Sequence, residues 1–225
     1  MFLTGCATTQ SSTRVSSTPP IQQPASTSGT TDLLKRMADV QEFTHVAWPT
    51  KPDLQGNRCD SVIESGINDE GVWVEGRGYF KGSLDKVYDD FMDPNVMGPT
   101  YMTKDIVVDH VEKSPVLSTY TMHIKMRYIM SVEFDLGVSI DGLYDGEGNR
   151  VGLLYRSWKT DGTRFITRID EAIVIRQLED GWFSAEFQSL NVATMNKEEE
   201  TRKHLESLFA HWNETMDCEQ PQATE

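Results

Sequence analysis

The sequence predicts an α+β domain in which about seven antiparallel strands pack against one long C-terminal helix. Three observations carry this expectation. Over 119–128, and again over 132–141, apolar and polar residues alternate with a period of two, as strands with one dry and one wet face require. The separators between the later strand candidates are short and rich in Asp and Gly, which suits hairpin connections. Leu205, Leu208, Phe209 and Trp212 recur at i, i+3, i+4 and i+7, the spacing of a single helical stripe.

The elements follow in order. "TTDLLKRMADVQEF" offers a cap at Thr31 or Asp32 and sets Leu33, Leu34, Met37, Val40 and Phe43 at helical spacing, so a short amphipathic helix is expected. "AWPTKPDLQGNRCDS" is broken by Pro49, Pro52 and Gly56 and reads as an irregular connection. Residues 31–70 are thus an N-terminal helix and arm. "GVWVEGRGYFKG" (71–82) alternates and is rich in Val and aromatics, a strand pattern. "SLDKVYDDFMDP" (83–94) opens on a Ser cap, places Leu84, Val87, Tyr88 and Phe91 on one stripe and stops at Pro94. "NVMGPTYM" has room for one more helical turn. Strand candidates then run over 103–112, 117–129, 132–142, 150–159, 164–177 and 181–192. Connections at 145–149, 160–163 and 179–181 are short enough to force antiparallel neighbours. The last helix, from Asn196 to about Thr215, has Glu198, Glu199 and Glu200 at the positive end of its dipole. Burying its four-residue stripe contributes on the order of 6–12 kcal/mol gross, so it must lie on a large apolar surface.

Alternation assigns the faces. Tyr120, Met122, Ile124, Met126 and Tyr128 share one side of their strand; Thr119, Thr121, His123, Lys125 and Arg127 share the other. Val132, Phe134, Leu136, Val138 and Ile140 continue the dry face. Phe165, Ile169, Ile173, Ile175, Phe183, Ala185 and Phe187 are expected to extend it.

Composition excludes some functions. The chain has 35 acidic and 21 basic residues, a net charge of −14, and no Lys/Arg cluster, so it repels phosphate backbones and nucleic-acid binding is not expected. No apolar run reaches the 18 residues of a membrane span. From 7 to 30, twelve of 24 residues are Ser or Thr, with three Pro, three Gln and one charge, Arg14. Such a segment buries too little apolar surface to offset its ordering entropy and is expected to be a flexible tether.

Two resemblances follow. Leu3-Thr4-Gly5-Cys6 resembles the lipobox of bacterial lipoproteins, in which cleavage before the cysteine precedes its lipidation; the Ser/Thr/Pro tether suits such a protein. The resemblance requires a hydrophobic stretch encoded upstream of Met1, and implies that residues 1–6 are the remnant of a signal carrying the lipidated Cys6. It places the protein in a bacterial cell envelope, attached to the membrane through the lipid anchor only. Ala7, rather than Asp, favours the outer membrane facing the periplasm. Lipidation of Cys6 would leave Cys59 and Cys218 as an even pair able to bridge in an oxidising compartment; two unrelated free thiols are the alternative.

The element order, with the texture of "GRGYFKGSLDKVYDDFMDPNVM", resembles the START-like superfamily over residues 71–215, leaving 216–225 as a C-terminal tail. That superfamily, which includes lipid-transfer domains and polyketide cyclases (the SRPBCC group), has a helix-grip fold. The resemblance implies a curved antiparallel sheet wrapped around the long C-terminal helix, two short helices after the first strand, and often a hydrophobic cavity between sheet and helix. Expected ligand-binding residues are Met97, Tyr120, Met122, Met126, Phe134, Tyr155, Phe209 and Trp212. Met102 and Met130 fall in the same region, where flexible, polarisable thioethers adapt to a ligand or simply fill a core.

Catalytic and metal patterns are absent from the sequence. His204 and His211 stand two helical turns apart and do not converge; His110 has no sequence-visible partner, and His123, on the polar face of its strand, reads as a solvated residue rather than a base. No H-E-x-x-H, C-x-x-C, G-x-S-x-G or P-loop occurs. Asp141, Asp145 and Glu147 lack the spacing of a calcium loop. Tyr120, Tyr128, Tyr155, Arg156 and Glu171 are the polar residues that a cavity could hold, with Tyr155 and Arg156 on opposite faces. The expected function is non-catalytic binding of a hydrophobic small molecule or lipid, with no catalytic residue, metal or cofactor. A cyclase- or hydrolase-like enzyme, or a structural lipoprotein with a filled cavity, are the alternatives. No protein partner is indicated.

Overall fold

Eight antiparallel strands form one curved sheet in the computed structural model, which describes residues 46–52, 58–98, 103–114, 116–127, 131–194 and 198–219, all within the unit Phe43–Glu225. Cys6, the 7–30 tether, the expected helix from Leu33 to Phe43, His45, Met102, Tyr128, Met130 and the Asn196 cap lie outside the described residues.

The strands are β1 (Asp60–Asn68), β2 (Gly71–Lys81), β3 (Thr103–Glu112), β4 (Leu117–Arg127), β5 (Ser131–Tyr144), β6 (Arg150–Gly162), β7 (Ile166–Gln177) and β8 (Trp182–Ala193). Their order across the sheet is β1-β2-β8-β7-β6-β5-β4-β3. After β2, helices α1 (Leu84–Phe91) and α2 (Pro94–Met97) carry the chain to the far edge. A meander from β3 to β8 then returns to pair with β2. The Ser83 hydroxyl accepts from Lys86 N and Asp93 accepts from Asn95 N, so each helix starts on a side-chain cap.

β1 is one strand more than the alternation predicted, and it falls within the arm. "DSVIESGIN" sets Val62 beside Ile63 and has no fully buried residue, so neither face stands out in the sequence. Backbone pairing with β2 makes it a strand. The Asn68 side chain closes the hairpin by accepting from Glu70 N and Gly71 N at 2.9 and 3.0 Å.

A second correction concerns Phe165, which is 38% exposed in the turn before β7 and not on the dry face. A register shift between Ile166 and Arg168 changes the parity of the strand start, and Ile166 packs against the core instead.

The long helix α3 (Glu198–Thr215) lies over β1 and β2 and buries Leu205, Leu208, Phe209 and Trp212. Gly76 permits the approach: a Cβ there would stand 2.5 Å from Leu205 Cδ2 and 3.1 Å from Phe209 Cε2. Gly76→Val is therefore expected to destabilise by about 1–3 kcal/mol through overpacking. Urea unfolding measures this; an unchanged midpoint would show that the helix shifts freely.

Beyond Gly76, Phe80, Phe91, Phe183, Phe209 and Trp212 form one aromatic cluster with ring centroids 5.2–6.2 Å apart. Asp90 of α1, itself buried, accepts from Trp212 Nε1 at 3.2 Å, pairs with Lys86 and meets His211 at 3.4 Å. These bonds latch α1 to α3. Cys59, just before β1, is disulfide-bonded to Cys218, just after α3, with Cα atoms 5.4 Å apart.

On the outer face of β3–β5, His123 bridges two strands, with Nδ1 2.6 Å from Asp135 and Nε2 3.1 Å from Asp109. The Asp135 hydrogen bond raises its pKa above the ordinary imidazole value, the two aspartate charges adding to it. Its stabilisation is thus complete below about pH 6.5 and fades as pH rises through the higher folded-state value. The stability difference between wild type and His123→Asn should shrink from about pH 5.5 to about pH 8 and be small throughout, because the side chain is 42% exposed and solvent-screened. A difference independent of pH would rule the bridge out.

Candidate ligand-binding site

The inner face of the sheet is read directly from its register. One cross-strand row runs Val74–Ser189–Glu171–Ser157–Val138–Tyr120 through β2, β8, β7, β6, β5 and β4. The next runs Gly76–Phe187–Ile173–Tyr155–Ile140–Ser118. The second row leads toward the aromatic cluster, which seals that end of the concave space.

The opposite end differs. There β4, β6 and β8 end and β2, β3, β5 and β7 begin. Val96, Ile106, Val108, Met126, Val132, Ile166 and Ile169 pack against the core from this side yet stay only half-buried. An apolar inner surface that the long helix leaves partly uncovered can accept an apolar guest.

The expected ligand residues divide between these regions. Met126 stands among the half-buried set. Met97, Met122 and Phe134 are buried in the core of the sheet and α2. Tyr120 is buried as well, and its hydroxyl donates to the Phe91 carbonyl at 2.6 Å. Tyr155 is wholly buried, its ring 5.0 Å from Phe91. Phe209 and Trp212 belong to the aromatic seal, where their rings contact other side chains of the core. The structure therefore does not bring the eight together on one wall.

Sequence reasoning nominated Glu171 but passed over its neighbours. Ser157 donates to Glu171 Oε2 at 2.7 Å, and Ser189 approaches Glu171 Oε1 at 3.5 Å. Asn191 Nδ2 lies 3.4 Å from Ser189 Oγ and 3.3 Å from Thr201 Oγ1 of α3. Ser157 and Ser189 are buried, while Glu171 and Asn191 are half-buried. Their signal was available: each is a polar residue at a dry-face position of its strand. Arg156, with the opposite parity, pairs across the strands with Ser139 and Ala172 on the outer face.

Burial raises the phenol pKa of both Tyr120 and Tyr155; for Tyr155 the nearby Tyr120 and Glu171 push the same way. Both phenols therefore hold their protons at neutral pH. The Tyr155 hydroxyl makes no well-formed hydrogen bond among the described residues, but the hydroxyls of Tyr120 and Ser157 stand close enough to influence its pKa. Among those residues, no group of three or more His, Cys, Asp or Glu is placed to hold a metal. Asp145 closes the β5–β6 turn by accepting from Glu147 N and Asn149 N.

No protein-family model matches the chain, and no curated protein matches it. Among solved structures, human StAR-related lipid transfer protein 5 aligns over 83% of this chain and 93% of its own, with a TM-score of 0.51 at 9% identity. The fold is START-like. The STAR-related lipid transfer protein from Xanthomonas axonopodis has a TM-score of 0.46 at 13% identity, over 75% of this chain and 99% of its own. The Zhui aromatase/cyclase from Streptomyces sp. R1128 has a TM-score of 0.34 at 11% identity, over 68% and 86%. These two carry no weight here, and at 9% identity the first shows the START-like fold alone.

Proposed function

We propose that this START-like domain binds a hydrophobic small molecule or lipid chain in its concave space, without catalysis, and is held at a bacterial membrane by a lipid on Cys6. The observation that carries the binding reading is the half-buried apolar end of the inner face, from Val96 to Ile169. Likeness of fold to a lipid transfer protein supports it. The anchor reading rests on Leu3-Thr4-Gly5-Cys6 and the residues after it. As a flexible chain, 24 tether residues span roughly 25–30 Å, enough to lift the domain clear of lipid headgroups. With Ala7 behind the cysteine, the outer membrane is the proposed address.

Organic extraction and native mass spectrometry of the full chain test the binding reading. A co-purifying apolar ligand, or stoichiometric uptake of an added C16 probe, is expected. Met126→Trp should fold normally and lower uptake at least about tenfold, since an indole would fill the half-buried wall. Unchanged uptake would remove this wall from the site. For the anchor, mass spectrometry of the exported protein should find acylated Cys6, and an unmodified thiol there would overturn it.

An enzyme of the cyclase or hydrolase kind is the second reading, favoured by the convergence of Ser157, Glu171 and Tyr155 on the inner face. Turnover of a bound ligand, abolished by Glu171→Gln, would establish it.

A further inference from the structure

The row Ser189–Glu171–Ser157–Val138–Tyr120 carries four polar side chains across an otherwise apolar surface. Buried polar groups are normally satisfied, and exceptions call for an explanation. Here the unused capacity is mainly that of acceptors. Glu171 receives one good hydrogen bond, from Ser157, and a long one from Ser189. No Lys, Arg or His among the described residues forms an ion pair with it. Asn191 Oδ1, two residues along β8 from Ser189 on the same face, is buried without a partner among the described residues. The Tyr155 hydroxyl is buried near those of Ser157 and Tyr120 and close enough to Glu171 to feel its charge. Around this belt the guest would meet only hydrocarbon: Ile169 beside Asn191, and Val138 between Ser157 and Tyr120.

We propose that this belt is a head-group subsite that takes the hydrogen-bond-donating end of the ligand, an alcohol or a protonated amine, and rejects a free carboxylate. The assignment rests on the hydrophobic-ligand reading above and adds a chemical class to it. A carboxylate accepts hydrogen bonds and bonds most strongly to a charged or hydroxylic donor, and the Glu171 side chain already accepts from Ser157. A fatty-acid head would bring a second carboxylate beside it, and two like charges in a shared partly buried site disfavour ionisation of both. A site built to satisfy particular polar groups discriminates more sharply than its apolar walls can, because the wrong ligand leaves those groups unpaired.

Three probes of equal chain length separate the outcomes: 1-hexadecanol, hexadecylamine and hexadecanoic acid, bound to the full chain near neutral pH by isotope-labelled partition. The amine and the alcohol are expected to bind at least about tenfold more tightly than the acid. Glu171→Gln keeps the shape, removes the charge and should bring the three to within about threefold of one another. Equal binding of all three by the wild type, or a preference that survives Glu171→Gln in a folded variant, overturns the belt assignment and leaves the hydrophobic-ligand reading standing. Binding of none overturns both. Should Glu171→Gln fail to fold, the wild-type order decides: amine and alcohol above acid supports the subsite, and acid equal or tighter refutes it.

Discussion

Trp212→Ala is expected to lower the unfolding free energy by about 3–5 kcal/mol, as truncation of a buried aromatic usually does. The side chain is fully buried, and its ring meets Phe80, Phe91, Phe183 and Phe209. Truncation opens a cavity where helix, sheet and α1 come together, and rigid neighbouring rings collapse into it poorly. It also removes the Nε1 donor from Asp90, which stays buried with Lys86 and His211. Trp212→Phe separates the two effects. It retains much of the ring, loses the donor and should cost about 1–2 kcal/mol. Equilibrium urea unfolding with the disulfide intact gives both values. A Trp212→Ala loss below about 1 kcal/mol would mean that the aromatic cluster does not hold α3 to the sheet.

Loss of the Cys59–Cys218 bridge is the other large effect. The bridge closes a loop of 159 residues, for which the chain-entropy relation predicts about 5 kcal/mol at 25 °C, while measured removals from native proteins typically cost 2–5. The bond ties the entry to edge strand β1 to the exit from α3, and both cysteines pack against the core. Cys59→Ser with Cys218→Ser should therefore loosen β1 and the end of α3 before the central strands. Hydrogen exchange would register this as faster exchange at 60–68 and 212–218, with β5 to β7 changed less. Uniform acceleration, or none, would refute the local role. The reduced wild type and the double variant should agree in stability; a gap between them would charge part of the loss to the serines.

Legibility in the sequence followed the range of the interaction. Strands β4 to β8 and helix α3 were visible because a period of two or 3.6 is a local property of a segment facing one dry surface. Tyr120, Met122 and Phe134 were placed on the dry face for that reason, and the register puts them there, whereas the choice between Tyr155 and Arg156 stayed open until the register was known. β1 was missed because an edge strand with half-buried faces has no such contrast. Phe165 was misassigned because the bulge between Ile166 and Arg168 breaks the parity that holds from Ile169 onward.

The site was less legible. Parity can say that Ser157 and Ser189 point inward, but not that Glu171 stands between them. That requires three strands in one register. Nor can a helical stripe tell whether Phe209 and Trp212 line a cavity or seal it, since either use is equally apolar.

The sequence by itself thus determined most strands and helices from β2 to α3, the dry sides of most of them, and the acidic balance of the chain. Tertiary structure alone decided where α3 rests, which apolar residues of the inner face stay half-buried, and which polar residues meet on that face. The physical reason is that periodicity is a one-body property of a segment, whereas closure and opening depend on pairs far apart in the chain: Gly76 against Leu205, Asp90 against Trp212, Cys59 against Cys218.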